Sequence, residues 1–248
     1  MEVFALSRDA INTNIINTNI KYRLEFSKTD KMIYIGHLDL LTFFQRVFKR
    51  SKLPIGYSWG FNPHQLVTFA IPLALGTSSV GEVVDIQLKE RVDTQEIKDR
   101  VNKILPQGIS IMQVNELEFA SDSCAAAVKY ADYSITLDKK IKKIDEVINE
   151  IINSTEINIE RTVKKKTKIV DIRKYINWIS ADNSYNTTEI NCNIATGSQG
   201  NLKVDVMLEY IYTKLGEEFS PMKIDILRTS LYTSEEGVLV PLCPGKFM

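Results

Sequence analysis

Within residues 21–52 the hydrophobic period changes, and that change limits what the chain can fold into. Tyr22, Leu24 and Phe26 alternate with Lys21, Arg23 and Glu25, which places the apolar groups on one face of a strand. After the turn-like run Ser27-Lys28-Thr29-Asp30, residues 38–52 carry Leu40, Phe43, Phe44 and Val47 at helical spacing, with Leu41 and Phe48 widening the stripe. A one-faced strand followed by a one-striped helix buries both only in a layered α+β arrangement.

The alternation of periods continues. Residues 65–71 and 82–88 read as two strands joined through Pro72, Gly76 and Gly81. Residues 94–105 return to helix, burying Ile97, Val101 and Ile104, and residues 109–114 supply a closing strand. The order β-α-β-β-α-β predicts a ferredoxin-like unit, with helices on one face of an antiparallel sheet and the other face open. A second pass starts at Tyr133, Ile135 and Leu137. Ile141, Ile144, Val147, Ile148, Ile151 and Ile152 then give a helix, and Ile157 and Ile159 begin a strand. Residues 189–195, 202–215 and 223–232 read as strand, helix and strand. The expected fold is therefore α+β: two tandem ferredoxin-like (βαββαβ) halves, antiparallel sheets with helices on one face. The expected organisation is an N-terminal extension over 1–19, which holds a tandem INTNI pentapeptide, and a first domain over 20–118. A linker over 119–130, a second domain over 131–236 and an irregular C-terminal tail over 237–248 complete it.

Composition narrows the function classes. The 248 residues are 44% hydrophobic and 25% charged, as in ordinary globular proteins. Lys+Arg 31 and Asp+Glu 31 cancel, so a nucleic-acid surface must be a local patch. Cys124, Cys192 and Cys243 are far apart and form no C-x-x-C pair. That argues against a disulfide framework or a cysteine-rich metal site and for a reducing, cytoplasmic setting. The longest uncharged stretch, 66–81, is broken by Pro72 and Gly76 and falls short of the ~20 apolar residues of a membrane span. The N-terminus lacks signal-peptide patterning. No membrane partner and no metal are expected.

Few residues are suited to chemistry. The chain has His 2, at His37 and His64. His37 stands in Gly36-His37-Leu38-Asp39 at the start of a predicted helix, where it could act as a general base or meet a phosphate, or simply cap the turn. The loop Tyr57-Ser58-Trp59-Gly60-Phe61-Asn62-Pro63-His64 sits between a basic helix end and a strand. Its aromatics suit stacking on unstacked bases, and Asn62 and His64 suit base edges. Arg46, Lys49, Arg50 and Lys52 suit phosphates; the alternative is a loop that closes the core. Arg161, Lys164, Lys165, Lys166, Lys168, Arg173 and Lys174 form a basic arm against the single acid Asp171. It reads either as an RNA-phosphate surface or as a solvated hairpin. Glu82 and Asp85 have odd spacing, which directs them to opposite strand faces and argues against an acid/base pair. Metalloprotease, serine-hydrolase, P-loop and Rossmann motifs are absent.

Taken in order, Tyr22-Arg23-Leu24-Glu25-Phe26-Ser27-Lys28, Gly36-His37-Leu38-Asp39, Leu53-Pro54, Tyr57-Ser58, Gly60-Phe61-Asn62-Pro63-His64, Phe69-Ala70-Ile71-Pro72-Leu73 and the run from Glu82 to Asp85 form a long pattern. With Lys168, Val170-Asp171-Ile172-Arg173 and Ile176 it resembles the radical-SAM-linked protein family, over roughly residues 21–232. The resemblance implies a bacterial protein encoded beside or fused to a radical-SAM protein, and it carries over no reaction. The chain has no C-x-x-x-C-x-x-C, so an iron–sulfur cluster and S-adenosylmethionine are expected only in the partner. Two readings follow. One is a non-catalytic accessory or substrate-binding protein that holds RNA through Arg46, Arg50, Tyr57, Ser58, Trp59, Phe61, Asn62, His64, Lys164, Lys165, Lys166, Lys168 and Arg173. The alternative is an RNA-processing or RNA-modifying enzyme with His37 or His64 as the working group.

Overall fold

Strand β1 (Ile20–Lys28) buries Tyr22, Leu24 and Phe26 completely beneath helix α1 (His37–Arg50), which turns Leu40, Phe44, Val47 and Phe48 inward. The two periods at the start of the chain thus close on one another. The computed structural model describes residues 19–163, 166–183, 186–198, 200–220 and 224–245. The first set continues with β2 (Val67–Phe69), β3 (Ser78–Leu88), α2 (Thr94–Asn102) and β4 (Ile109–Leu117). Asp93 caps α2 by accepting from the N–H groups of Gln95 and Glu96. The second set comprises β5 (Tyr130–Leu137), α4 (Ile144–Asn153), β8 (Ile176–Asp182), β9 (Thr188–Ala195), α5 (Val204–Leu215) and β10 (Ile224–Glu235). A short helix, α3 (Cys124–Ala127), joins the sets.

One mixed sheet joins the two sets. Its nine strands follow the order β4-β1-β3-β10-β5-β9-β8, with β2 paired to β3 and β11 (Val238–Pro241) paired to β10. The architecture is α+β. The expected pair of separate antiparallel sheets is corrected by the junction of β3 and β10, which pair in parallel through Ser78, Ser79, Leu227 and Arg228. β2 is much shorter than β3, so the Ser78 end of β3 has a free edge for β10. Gly81 permits the approach: a Cβ there would lie 2.7 Å from the Ser230 Cα and closer still to the Thr229 carbonyl. Gly81→Ala is therefore expected to cost about 1–3 kcal/mol through overpacking against backbone that cannot yield. A urea midpoint unchanged from the parent would contradict this.

Two further readings are corrected. Residues 157–159 do not enter the main sheet. Ile159 lies instead in β6 (Asn158–Val163), which pairs with β7 (Lys166–Asp171) in a separate two-stranded sheet, and Ile157 stands just before it. β8 takes the place beside β9 instead, and its alternation is hidden by a register shift between Ile176 and Trp178. Within the stretch read as an irregular tail, Val238–Pro241 forms β11. Glu236 (φ 49°) and Gly237 (φ 84°) make the tight turn that returns it onto β10.

The face of β1 and β3 opposite α1 is not open. Arg23 and Asp85 meet there as a buried bidentate pair at 2.8 and 3.0 Å. Asp85 accepts from the Cys124 N–H at 2.7 Å, while Arg23 donates to the carbonyls of Asp122 and Leu242. The connecting segment and the end of the described chain thus cover it. Among the described residues no helix is long and apolar enough to cross a membrane.

Candidate nucleic-acid interface

The loop between α1 and β2 is built to hold its aromatic side chains outward. Its stem is closed by a bridge between Tyr57 and Gln65 and by the Ser58 N–H donating to the His64 carbonyl at 2.8 Å. The Ser58 Oγ accepts from the His64 N–H at 3.1 Å and shares a 2.8 Å hydrogen bond with His64 Nδ1. Ser58 and His64 therefore act as a clasp, and no carboxylate orients the imidazole among the described residues. Between them the chain turns through Gly60 at φ 120°, a conformation that favours glycine. Trp59 is 80% exposed and Phe61 is fully exposed. Asn62 is exposed beside them. The alternative of a loop that closes the core does not describe these two side chains.

Gln65 ties this loop to α1, donating to the Gln45 carbonyl at 3.1 Å and reaching the Tyr57 hydroxyl at 3.4 Å. Arg46, Lys49 and Arg50 are exposed on α1, with Lys52 just beyond its end. None of these side chains forms an ion pair among the described residues. Lys89, which sequence reasoning missed, lies 5.8 Å from the Tyr57 ring. It follows β3 and reaches the loop only because Ile55 bridges to Leu88. The result is a ridge of outward aromatics flanked by unpaired cations, a chemistry that suits single-stranded nucleic acid.

His37 is separate from this clasp. It is the first residue of α1, half-buried, with its ring edge-on to Phe69 at 5.8 Å. The basic arm belongs to the second strand set. Lys168 is exposed on β7, and Lys166 opens that strand. Lys164 and Lys165 lie outside the described residues. Arg173 points into the structure: its guanidinium donates to the carbonyls of Ile176 at 2.8 Å, Ser154 at 3.2 Å and Ile152 at 3.3 Å. It thereby closes the C-terminal end of α4. Asp171 accepts from the Ile157 and Arg173 N–H groups, both at 2.9 Å, and these hold its carboxyl below the usual carboxylate range.

All three cysteines are buried. Burial pushes the Cys192 and Cys243 thiols up to about 12 and Cys124 higher still, so none is a thiolate at neutral pH. Among the described residues no group of His, Cys, Asp and Glu could hold a metal ion.

The fold and this surface define an α+β protein with one large mixed sheet and an exposed aromatic loop. A family model described as an uncharacterized protein conserved in bacteria, DUF2344, matches residues 21–204, and the chain belongs to that family. No curated protein matches it. Among solved structures, a Cbf5-Nop10-Gar1 complex is similar at 12% identity and TM-score 0.47, covering 87% of this chain and 50% of that one. An archaeal box H/ACA sRNP Nop10-Cbf5 complex is similar at 10% identity and TM-score 0.40, covering 84% and 46%. An H/ACA RNP bound to a substrate RNA is similar at 11% identity and TM-score 0.38, covering 86% and 47%. The chain spans about half the length of these proteins, and the resemblance is distant.

Proposed function

We propose that this protein is an accessory RNA-binding protein that holds single-stranded RNA on the ridge formed by the Tyr57–His64 loop and α1. The observation that carries this reading is the outward display of Trp59 and Phe61 on a hydrogen-bonded loop tied to a helix whose cations have no ion-pair partners among the described residues. Two large apolar side chains held in water bury nothing in the isolated chain, and base faces are surfaces that would cover them. Arg46 and Arg50 would meet phosphates, with Lys168 and the neighbouring lysines of the basic arm as a second contact.

The same reading takes a radical-SAM protein as the partner, supported by the sequence pattern from Tyr22 to Ile176. In it the strand orders β4-β1-β3-β2 and β10-β5-β9-β8 are two ferredoxin-like units fused side by side, with β6 and β7 inserted in the second. The RNA claim is tested by fluorescence anisotropy of a labelled single-stranded RNA titrated with the full chain at several salt concentrations. Affinity is expected to fall log-linearly with salt. The slope should shrink by about 0.7 for each cation removed in Arg46→Gln and Arg50→Gln. No binding at low salt, or a slope indifferent to both substitutions, would overturn it.

A further inference from the structure

The junction of the two strand sets holds a second feature, independent of the RNA surface. A cleft of about 610 Å³ opens where β3 meets β10. One wall is the connection from β2 to β3, with Ile71, Pro72, Leu73 and Thr77; the other is formed by Thr196, Gly197, Asn201 and Lys203 ahead of α5. Its size falls in the range of small-molecule sites, and its lining is largely apolar with a few polar groups.

Several of those polar groups are donors that face the cleft. Thr77 and Thr196 are each 6% exposed and line the cleft, yet neither hydroxyl has a hydrogen-bond partner among the described residues. Arg228, at the floor, spends Nε and Nη2 on Glu82 at 2.8 and 2.6 Å. Its Nη1 reaches only the Pro72 carbonyl and the Tyr133 hydroxyl, both at a long 3.5 Å. Tyr133 gives its own proton to no described residue, and burial pushes that hydroxyl up, keeping it protonated. At the rim α5 begins without a side-chain cap, so the N–H groups of Val204 and Asp205 have no acceptor among the described residues. The charged residues of the lining are Arg228, which Glu82 pairs, and Lys203 beside Asp205.

Hydroxyl and N–H donors at a helix N-terminus, with the Arg228 and Lys203 side chains beside apolar walls, suit an organic anion. We propose that the cleft binds a small organic phosphate of about nucleoside-monophosphate size, its phosphate toward Arg228, Thr196 and the start of α5 and its apolar part against Ile71, Pro72 and Leu73.

The test is calorimetric titration of the full chain with adenosine monophosphate, inorganic phosphate and adenosine. Saturable binding is expected for adenosine monophosphate, weaker binding for phosphate, and none for adenosine. Thr196→Val and Lys203→Gln should each weaken the monophosphate about fivefold, with unchanged urea midpoints and unchanged affinity for single-stranded RNA. Trp59→Ala should leave monophosphate binding intact, so loss of the RNA reading does not remove this one. No saturable binding of either phosphate at millimolar concentration, equal binding of adenosine, or binding indifferent to both cleft substitutions would overturn the proposal.

Discussion

Glu82→Leu is expected to destabilise the protein by about 3–5 kcal/mol, a large share of the ~5–15 kcal/mol that holds a typical domain together. Glu82 is the carboxylate that faces Arg228 and Lys28 at the junction of β3 and β10, and each of the three is 3% exposed or less. Burial opposes the charge on Arg228, but Glu82 and Tyr133 together outweigh it and hold the guanidinium above its ordinary value. Without Glu82, two buried cations face one another. Arg228→Met should cost less, because Lys28 remains to balance Glu82. The effect has a pH signature. Burial and Arg228 already lower the Lys28 value, and only Glu82 opposes them. In Glu82→Leu the folded Lys28 sheds its proton more readily than the unfolded one. The unfolded state then binds more protons, and stability rises with pH as Lys28 deprotonates. Urea midpoints from neutral to alkaline pH check this; a Glu82→Leu midpoint equal to that of Arg228→Met, flat across pH, would contradict it.

The second large effect is on binding. Trp59→Ala combined with Phe61→Ala is expected to weaken single-stranded RNA binding by about tenfold or more, since each stacked base contributes about 1–3 kcal/mol and a tenfold change is about 1.4 kcal/mol. Stability should be unaffected, because both side chains stand in water. Lys168→Ala, which removes one exposed cation, should have a much smaller effect. Equal losses from the two changes would relocate the interface to the basic arm.

Local order was legible from residues 20 to 117 because each element there keeps its own period. The Tyr22-Leu24-Phe26 face, the Leu40-Phe44-Val47 stripe and the Ile97-Val101 pair all turn inward. What periodicity cannot carry is pairing between distant strands. The β3–β10 junction depends on an edge left free by a short β2 and on a glycine at position 81, neither of which alters a hydrophobic repeat. The bulge at Ile176 and Trp178 erased the alternation of β8. The aromatic loop is visible as composition, but its clasp through Ser58 and His64 and its tie to α1 through Gln65 are hydrogen bonds between residues 6 and 20 apart, which no local pattern records. Arg173 shows the converse: counted among surface cations by its neighbours in sequence, it is committed to backbone carbonyls at the end of α4. The opposite spacing of Glu82 and Asp85 was readable, and it hides their role. Each goes to its own face and its own arginine.

The most direct test of the RNA-binding account uses the protein's own fluorescence. Trp178 is the second of the two tryptophans, so in Trp178→Phe the emission belongs to Trp59 alone. Titration with single-stranded RNA at low salt should quench that emission in step with binding, because a base stacks on the exposed indole. RNA that binds without changing Trp59 emission, or that does not bind, would contradict the account.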